Sequence, residues 1–263
     1  MAELPDEVGA GHYAREQIQS RDPLIAWSHG RRFQTALALG AGFAGKRVLD
    51  YGCGDGTFLA LLSTGPAPPA LGTGAEIYPS LVDDCRRRFA GYPALRFTTV
   101  DDLRQPGQAH SYDALFCMEV LEHVVDAEPL LAECERLLAP GGQLVVSVPI
   151  ETGLPLVVKQ IVRRVAGWRG IGYYPGTTTY APWEFVKSLL ASSTQHIERP
   201  VFRRDDDSLF HDHKGFNWRV LRGMVASRFD LVRTLTSPVS WLGSQFGTQI
   251  WFVARSRAPR STE

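Results

Sequence analysis

The chain has 263 residues, 44% of them hydrophobic and 21% charged, enough to bury one large core with decorations but not a second full domain. Its 28 basic and 28 acidic side chains cancel, so no net field draws it to nucleic acid, and a polyanion could bind only at a local basic patch. The segment from Met1 to Gly11 is acidic and lacks the basic start and apolar centre of a secretory signal, no apolar run is long enough to span a bilayer, and Cys53, Cys85, Cys117 and Cys134 stand apart without zinc or redox spacing; a reducing, cytoplasmic setting is expected.

Residues 1–45 read as a helical leader, with helical patterning from Ile18 to Leu39 and a cluster of Trp27, His29, Arg31, Arg32 and Phe33. An apolar strand then runs through Val48 and Leu49 to Asp50 and Tyr51, and enters the alternating glycines of Gly52-Cys53-Gly54-Asp55-Gly56 before Thr57 opens a helix. Glycines there let the backbone turn sharply and bring its amides close to a ligand. The G-x-G-x-G spacing differs from the G-x-G-x-x-G of pyrophosphate-binding folds, which disfavours a dehydrogenase, as does the lack of an obvious acid–base pair for a nicotinamide.

A second strand from Ala70 to Ile77 carries Glu76, about 20 residues beyond the glycines, where a carboxylate can accept both hydroxyls of a cofactor ribose. Pro79 and Ser80 begin a helix that turns Leu81, Val82, Cys85 and Phe89 inward. Residues Leu95 to Val100 form a third strand ending at Asp101 and Asp102, and Tyr112 to Met118 a fourth, apolar enough to be buried on both faces. Pro129 opens a helix through Leu138, and Gln143 to Val148 is a fifth strand. Strands alternating with helices at this period predict an α/β, doubly wound, mostly parallel sheet.

Residues 149–210 read as an insertion whose first helix, Leu154 to Val165, has a wide apolar face and a basic edge of Lys159, Arg163 and Arg164, expected to be solvated over a lid. Arg203 to Asp207 reads as a mobile surface loop. Residues 211–263 supply a helix from Phe216 to Ala226 and strands near Phe229–Thr234 and Thr248–Ala254 that finish the sheet.

The chemically richest stretch follows the fourth strand. Glu119, Glu122 and His123 fall at i, i+3 and i+4, so a helical turn would place them on one face. Two carboxylates and an imidazole make a partial shell for a divalent ion, oxygen-rich enough to favour magnesium or manganese over zinc, with His211 and His213 as candidates for a fourth ligand. The bland alternative is a metal-free site in which His123 is a general base oriented by the carboxylates.

The order and spacing of these elements over residues 46–148 resemble the class I S-adenosylmethionine (SAM) methyltransferases. The resemblance implies a seven-stranded Rossmann-like sheet, a leader packed over the cofactor mouth, and SAM held by Asp50, Tyr51, Gly52, Gly54, Glu76, Ile77, Asp101, Asp102 and Met118, with the aspartates beside the adenine. Cys117 to Val124 looks like the matching turn of the ubiquinone-pathway O-methyltransferases, whose insertion is likewise apolar and touches membrane. It also looks like that of the small-RNA terminal 2′-O-methyltransferases, where Glu-x-x-Glu-His and a distant His hold magnesium; Asp212-His213-Lys214, Phe216-Asn217-Trp218 and Gly247-Thr248-Gln249-Ile250 strengthen that likeness, and it implies Glu119, Glu122, His123 and His213 as the metal set. Gly215 interrupts the usual Asp-His-x-Phe string, and neither the Pro-Pro loop nor a basic RNA-binding extension is present. The reading is therefore an O-methyltransferase with Glu119, His123 and His213 at the catalytic centre, acting on a small or lipid-linked acceptor such as a sugar, a phenol or quinol, or a natural product, with peripheral membrane contact. An RNA 3′ end is the alternative acceptor, and a non-catalytic SAM-binding subunit the alternative outside catalysis.

Overall fold

The computed structural model describes residues 4–168, 179–204, 206–238 and 240–257. The leader contributes a short helix α1 (Asp6–Gly9), a π-helical turn (Ala14–Ile18) and the long helix α2 (Pro23–Gly40). The chain then alternates: β1 (Arg47–Tyr51), α3 (Thr57–Thr64), β2 (Leu71–Glu76), α4 (Pro79–Arg88), β3 (Leu95–Thr99), α5 (Val100–Leu103), β4 (Tyr112–Met118), α6 (Ala127–Leu137) and β5 (Leu138–Pro149). Helices α7 (Leu154–Trp168) and α8 (Pro182–Leu189) follow, then β6 (Val201–Arg203), β7 (Leu209–His211), α9 (Trp218–Arg228), β8 (Asp230–Ser237) and β9 (Gln249–Arg255).

Seven strands form one sheet in the order β3-β2-β1-β4-β5-β9-β8. The first five are parallel, whereas β9 runs antiparallel to both β5 and β8. The period of two along each strand explains the two cores. Leu49, Leu115, Val146 and Phe252 face one side of the sheet, and Val48, Phe116, Val145 and Trp251 face the other. Because the order reverses between β1 and β4, the crevice outside their carboxyl ends is the place where such a fold leaves room for a ligand.

Four local expectations change. The helix expected to open at Pro129 begins at Ala127, because Asp126 accepts the Glu128 N–H and caps it. The third strand ends at Thr99 rather than at the aspartates, because Asp102 enters a capping box with Thr99 at the start of α5. The charged run at Arg203–Asp207 connects a small antiparallel hairpin, in which β6 pairs with β7 and Arg203 pairs with Asp207 at 3.0 Å. Finally, Lys159 is not a solvated edge: its ammonium lies 2.7 Å from the buried Glu151. Arg163's side chain lies outside the described residues. No helix among the described residues is long and apolar enough to cross a membrane.

Candidate cofactor and catalytic site

The glycine loop is fixed at the carboxyl end of β1 by its amides, since the N–H groups of Gly52 and Cys53 both donate to the Ala75 carbonyl on β2. Two glycines show why the motif needs them. Gly52 has φ +77, and a Cβ there would lie 2.4 Å from Val120 Cγ2, so a side chain would both strain the backbone and collide with the turn after β4. Gly54, at φ +54, faces open space with nothing within 4 Å of a Cβ position, which leaves the loop amides approachable.

Around that space the chain gathers acids. Glu76 ends β2 and accepts the Gly54 N–H at 3.0 Å, tying the loop to the second strand. Asp50 is 2% exposed, and its Oδ1 has no hydrogen-bond partner among the described residues. Burial, with Glu76 and Asp55 nearby, pushes its carboxyl up to about 8. An orphaned buried acid, an open glycine loop and a strand-end carboxylate fit a ligand bearing a cationic amine and vicinal hydroxyls. Ile77, exposed beside Glu76, offers an apolar surface there. Tyr51 turns its ring into the core, which leaves only its backbone near the site. Met118 is half-buried at the end of β4. Asp101 is exposed and paired with Arg104, and the Asp102 carboxylate is occupied by Thr98 and Thr99.

The turn after β4 is not the helix that the i, i+3, i+4 spacing predicts. Glu119 takes φ 57, the left-handed region that costs a non-glycine residue roughly 1–3 kcal/mol. Its N–H donates to the Ser147 carbonyl on β5, which holds the strained residue in place. The sharp exit separates Glu119 from the other two side chains. Glu119 pairs with Arg32 of the leader at 3.3 Å and accepts from Ser147 Oγ on β5 at 3.1 Å. Glu122, His123 and His213 converge instead, each offering a ligand atom within 4.8 Å of the others. Three of the four residues read as a metal set therefore meet, and Glu119 stands apart from them.

These three are poorly satisfied as they stand. Glu122 is fully buried, and neither carboxylate oxygen has a hydrogen-bond partner among the described residues. Burial first, then the charge of Glu119, pushes its carboxyl well above the usual range. The buried His213 Nδ1 has no partner among the described residues, and burial together with His123 pushes the ring down to about 4. His123 is better defined: its Nδ1 lies 2.9 Å from the His211 carbonyl. A carbonyl can only accept, so Nδ1 carries the proton and Nε2 presents a lone pair, 3.9 Å from Glu122. A buried orphan carboxyl, an imidazole pinned by its other nitrogen and a neutral second imidazole fit a divalent cation.

Sequence reasoning missed two supports. Arg199 donates to the carbonyls of Glu122 and Asp212, which joins the turn after β4 to the segment carrying His213. His211, adjacent in sequence to the cluster, is structural: its Nδ1 bonds to the Pro200 carbonyl while its own carbonyl orients His123. The other missed residue is Arg32, whose guanidinium is buried between the Glu119 carboxylate and the Tyr13 ring, 5.1 Å away. The leader reaches it because the Tyr13 N–H donates to Asp55 of the glycine loop at 2.8 Å.

Residues 49–146 match the family model described as a methyltransferase domain. The chain is 37% identical over 139 residues to a ubiquinone biosynthesis O-methyltransferase of Xanthomonas oryzae, a match covering 50% of this chain and 56% of that protein. It thus spans about half the length of that relative. A SAM-dependent methyltransferase from Mesorhizobium loti superposes with a TM-score of 0.52 at 13% identity, covering 86% of this chain and 97% of that one. Geranyl diphosphate C-methyltransferase from Streptomyces coelicolor superposes with a TM-score of 0.52 at 14% identity, over 88% and 82% of the two chains. One architecture thus serves transfer to oxygen and to carbon, so the acceptor has to be argued from the site.

Proposed function

We propose that this chain, whose residues 49–146 match a methyltransferase domain, is a SAM-dependent methyltransferase that methylates a hydroxyl of a small or lipid-linked acceptor with adjacent oxygens, aided by a divalent cation at Glu122, His123 and His213. The observation that carries this reading is the buried Glu122 carboxyl, unbonded at both oxygens among the described residues, in contact range of two imidazoles at the carboxyl edge of β4. Two nitrogens and one oxygen are a softer donor set than two carboxylates and two imidazoles, which moves the favoured ion from magnesium toward manganese or zinc. When bound, such an ion lowers the pKa of an acceptor hydroxyl. Chelation should stop turnover, and added manganese or zinc should restore it.

The chain's own residues do the rest. SAM arrives with its methyl on a good leaving group, so the protein has to hold it and align the acceptor for in-line attack. Glu76 would accept the ribose hydroxyls, and Asp50 would face the methionyl ammonium. His123 Nε2 is the one lone pair aimed into the cluster from a fixed tautomer. If it ligates a metal it cannot also take the proton, so metal dependence separates the two roles.

Asp50 makes cofactor binding pH-dependent. Burial pushes its carboxyl up to about 8 in the free protein, and a nearby ammonium would lower that value, so binding below pH 8 should expel a proton. Affinity for S-adenosylhomocysteine should therefore rise as pH rises toward 8, by up to about tenfold per unit where the bound form is ionised and the free form is not, then level off. Calorimetry in buffers of different ionisation enthalpy reads the proton released. Asp50→Asn should abolish the slope, and an unchanged slope in that variant would assign the proton elsewhere.

The insertion supports an apolar acceptor or a lipid surface. Leu154, Val158 and Ile161 form an exposed stripe on α7, and Trp183, Val186 and Leu190 form another at α8, which α7 contacts. Lys187 lies 5.1 Å from the Trp183 ring, and Arg164 is exposed at the edge. An amphipathic face with aromatic and basic residues suits a headgroup boundary. The protein should sediment with anionic vesicles at low salt, and Ile161→Glu with Trp183→Glu should release it. Absence of binding by the wild type would leave these helices as a lid only.

A further inference from the structure

A cleft of about 300 Å³, at the small end of ligand-binding cavities, opens between the turn after β4, the segment leading into β6 and one flank of α9. Neither the glycine loop, Asp50 and Glu76 nor Glu122, His123 and His213 lines it, so it is distinct from the cofactor and metal sites. Leu121, Val124, Phe216, Val220 and Met224 make its sides apolar. Arg199 is the one permanent cation among its described lining residues, and the acid there, Asp126, is already the cap of α6.

That guanidinium is held by carbonyls rather than by an acid. Its Nε donates to the Lys214 carbonyl and its Nη2 to those of Glu122 and Asp212, whereas Nη1 makes no hydrogen bond among the described residues. The Phe216 ring lies 5.2 Å from it. Burial pushes Arg199 down to about 10, the mark of a desolvated cation whose charge the carbonyls offset only in part. The two N–H groups of Nη1, at an apolar hollow, suit an anion whose remainder is hydrocarbon.

We propose that this cleft is a second small-molecule site, which takes an aryl or branched-chain monocarboxylate with its carboxylate on Arg199 and its hydrocarbon against Phe216, Val220 and Met224. A phosphate monoester fits less well, because a strongly hydrated dianion would meet one guanidinium, apolar walls and the Asp126 charge. Since Arg199 joins the backbone of Glu122 to that of Asp212, the bound acid braces the turn after β4 without touching the acceptor. Binding here depends on neither the metal nor the methyl donor.

The methionine methyl resonances of the full chain test this. Its three methionines are Met1, Met118 and Met224; Met224 lines the cleft, whereas Met118 ends β4. Met224→Leu assigns the first signal. Cinnamate should shift the Met224 methyl saturably, with millimolar affinity, and leave Met118 still. Cinnamyl alcohol, of the same shape without the charge, should bind at least about tenfold more weakly, the loss expected with a charge-assisted hydrogen bond. The charge is varied on the ligand because removing Arg199 would also strip three carbonyls of their donor. Val220→Trp should fill the hollow and abolish the shift, with the thermal midpoint checking its fold. S-adenosylhomocysteine alone should move Met118 and not Met224, which tests the cofactor reading separately. A Met224 signal unmoved by cinnamate, equal affinity for acid and alcohol, or an undiminished shift in folded Val220→Trp overturns the proposal. A cinnamate shift at Met118 instead of Met224 overturns it too, by placing the acid in the catalytic crevice.

Discussion

Glu76→Ala should lose binding of SAM and S-adenosylhomocysteine by at least about a hundredfold, because two hydrogen bonds to a charged acceptor, each worth about 1.5–3 kcal/mol, disappear together. The effect should exceed that of a mere ribose contact. One Glu76 oxygen also accepts the Gly54 N–H at 3.0 Å and the other the Ile77 N–H at 2.7 Å, so alanine leaves the loop amides without partners as well. Glu76→Gln keeps one carbonyl acceptor and should fall between alanine and wild type. Calorimetric titration checks the affinities, and the thermal midpoint checks that the sheet still forms. A well-folded Glu76→Ala protein with near wild-type affinity would remove Glu76 from the cofactor site.

How much of this was legible in the sequence follows from range. The parallel strands and the glycine loop were readable because period-two burial and the demand for positive φ at Gly52 act within a few residues. The turn after β4 misled, since Glu119, Glu122 and His123 carry helical spacing while the chain leaves the strand through φ 57 at Glu119. Spacing cannot express that exit, which depends on Ser147 in the neighbouring strand. His213 joins the cluster from a segment 90 residues on; the sequence offered it only beside His211 as a candidate, and the likeness to known methyltransferases chose between the two. Arg199 carries no local signal, and Arg32 stands out only as one of a leader cluster: their roles come from the backbone carbonyls and carboxylate that the fold delivers to them. The β6–β7 hairpin escaped notice because strands of three residues are too short to display alternation.

Chelation should abolish methyl transfer, by at least about a hundredfold, while leaving S-adenosylhomocysteine affinity largely intact. Manganese or zinc should restore the activity. The distinction arises because the glycine loop, Asp50 and Glu76 are built from β1 and β2, whereas the cluster is carried by the turn after β4 and by the segment before α9. His213→Ala should reproduce the chelated state, since its buried Nδ1 has no partner among the described residues and its removal frees nothing else. His211→Ala should act differently. Its ring bonds the Pro200 carbonyl and its backbone carbonyl, not its ring, orients His123, so the variant keeps the ligand set and should lose rate mildly. Glu122→Gln preserves shape and removes the anionic ligand, so it should lose metal affinity with little change in fold. If chelated protein instead turns over at full rate with its acceptor, the metal account fails, and the His123 Nε2 lone pair is left to accept the hydroxyl proton directly.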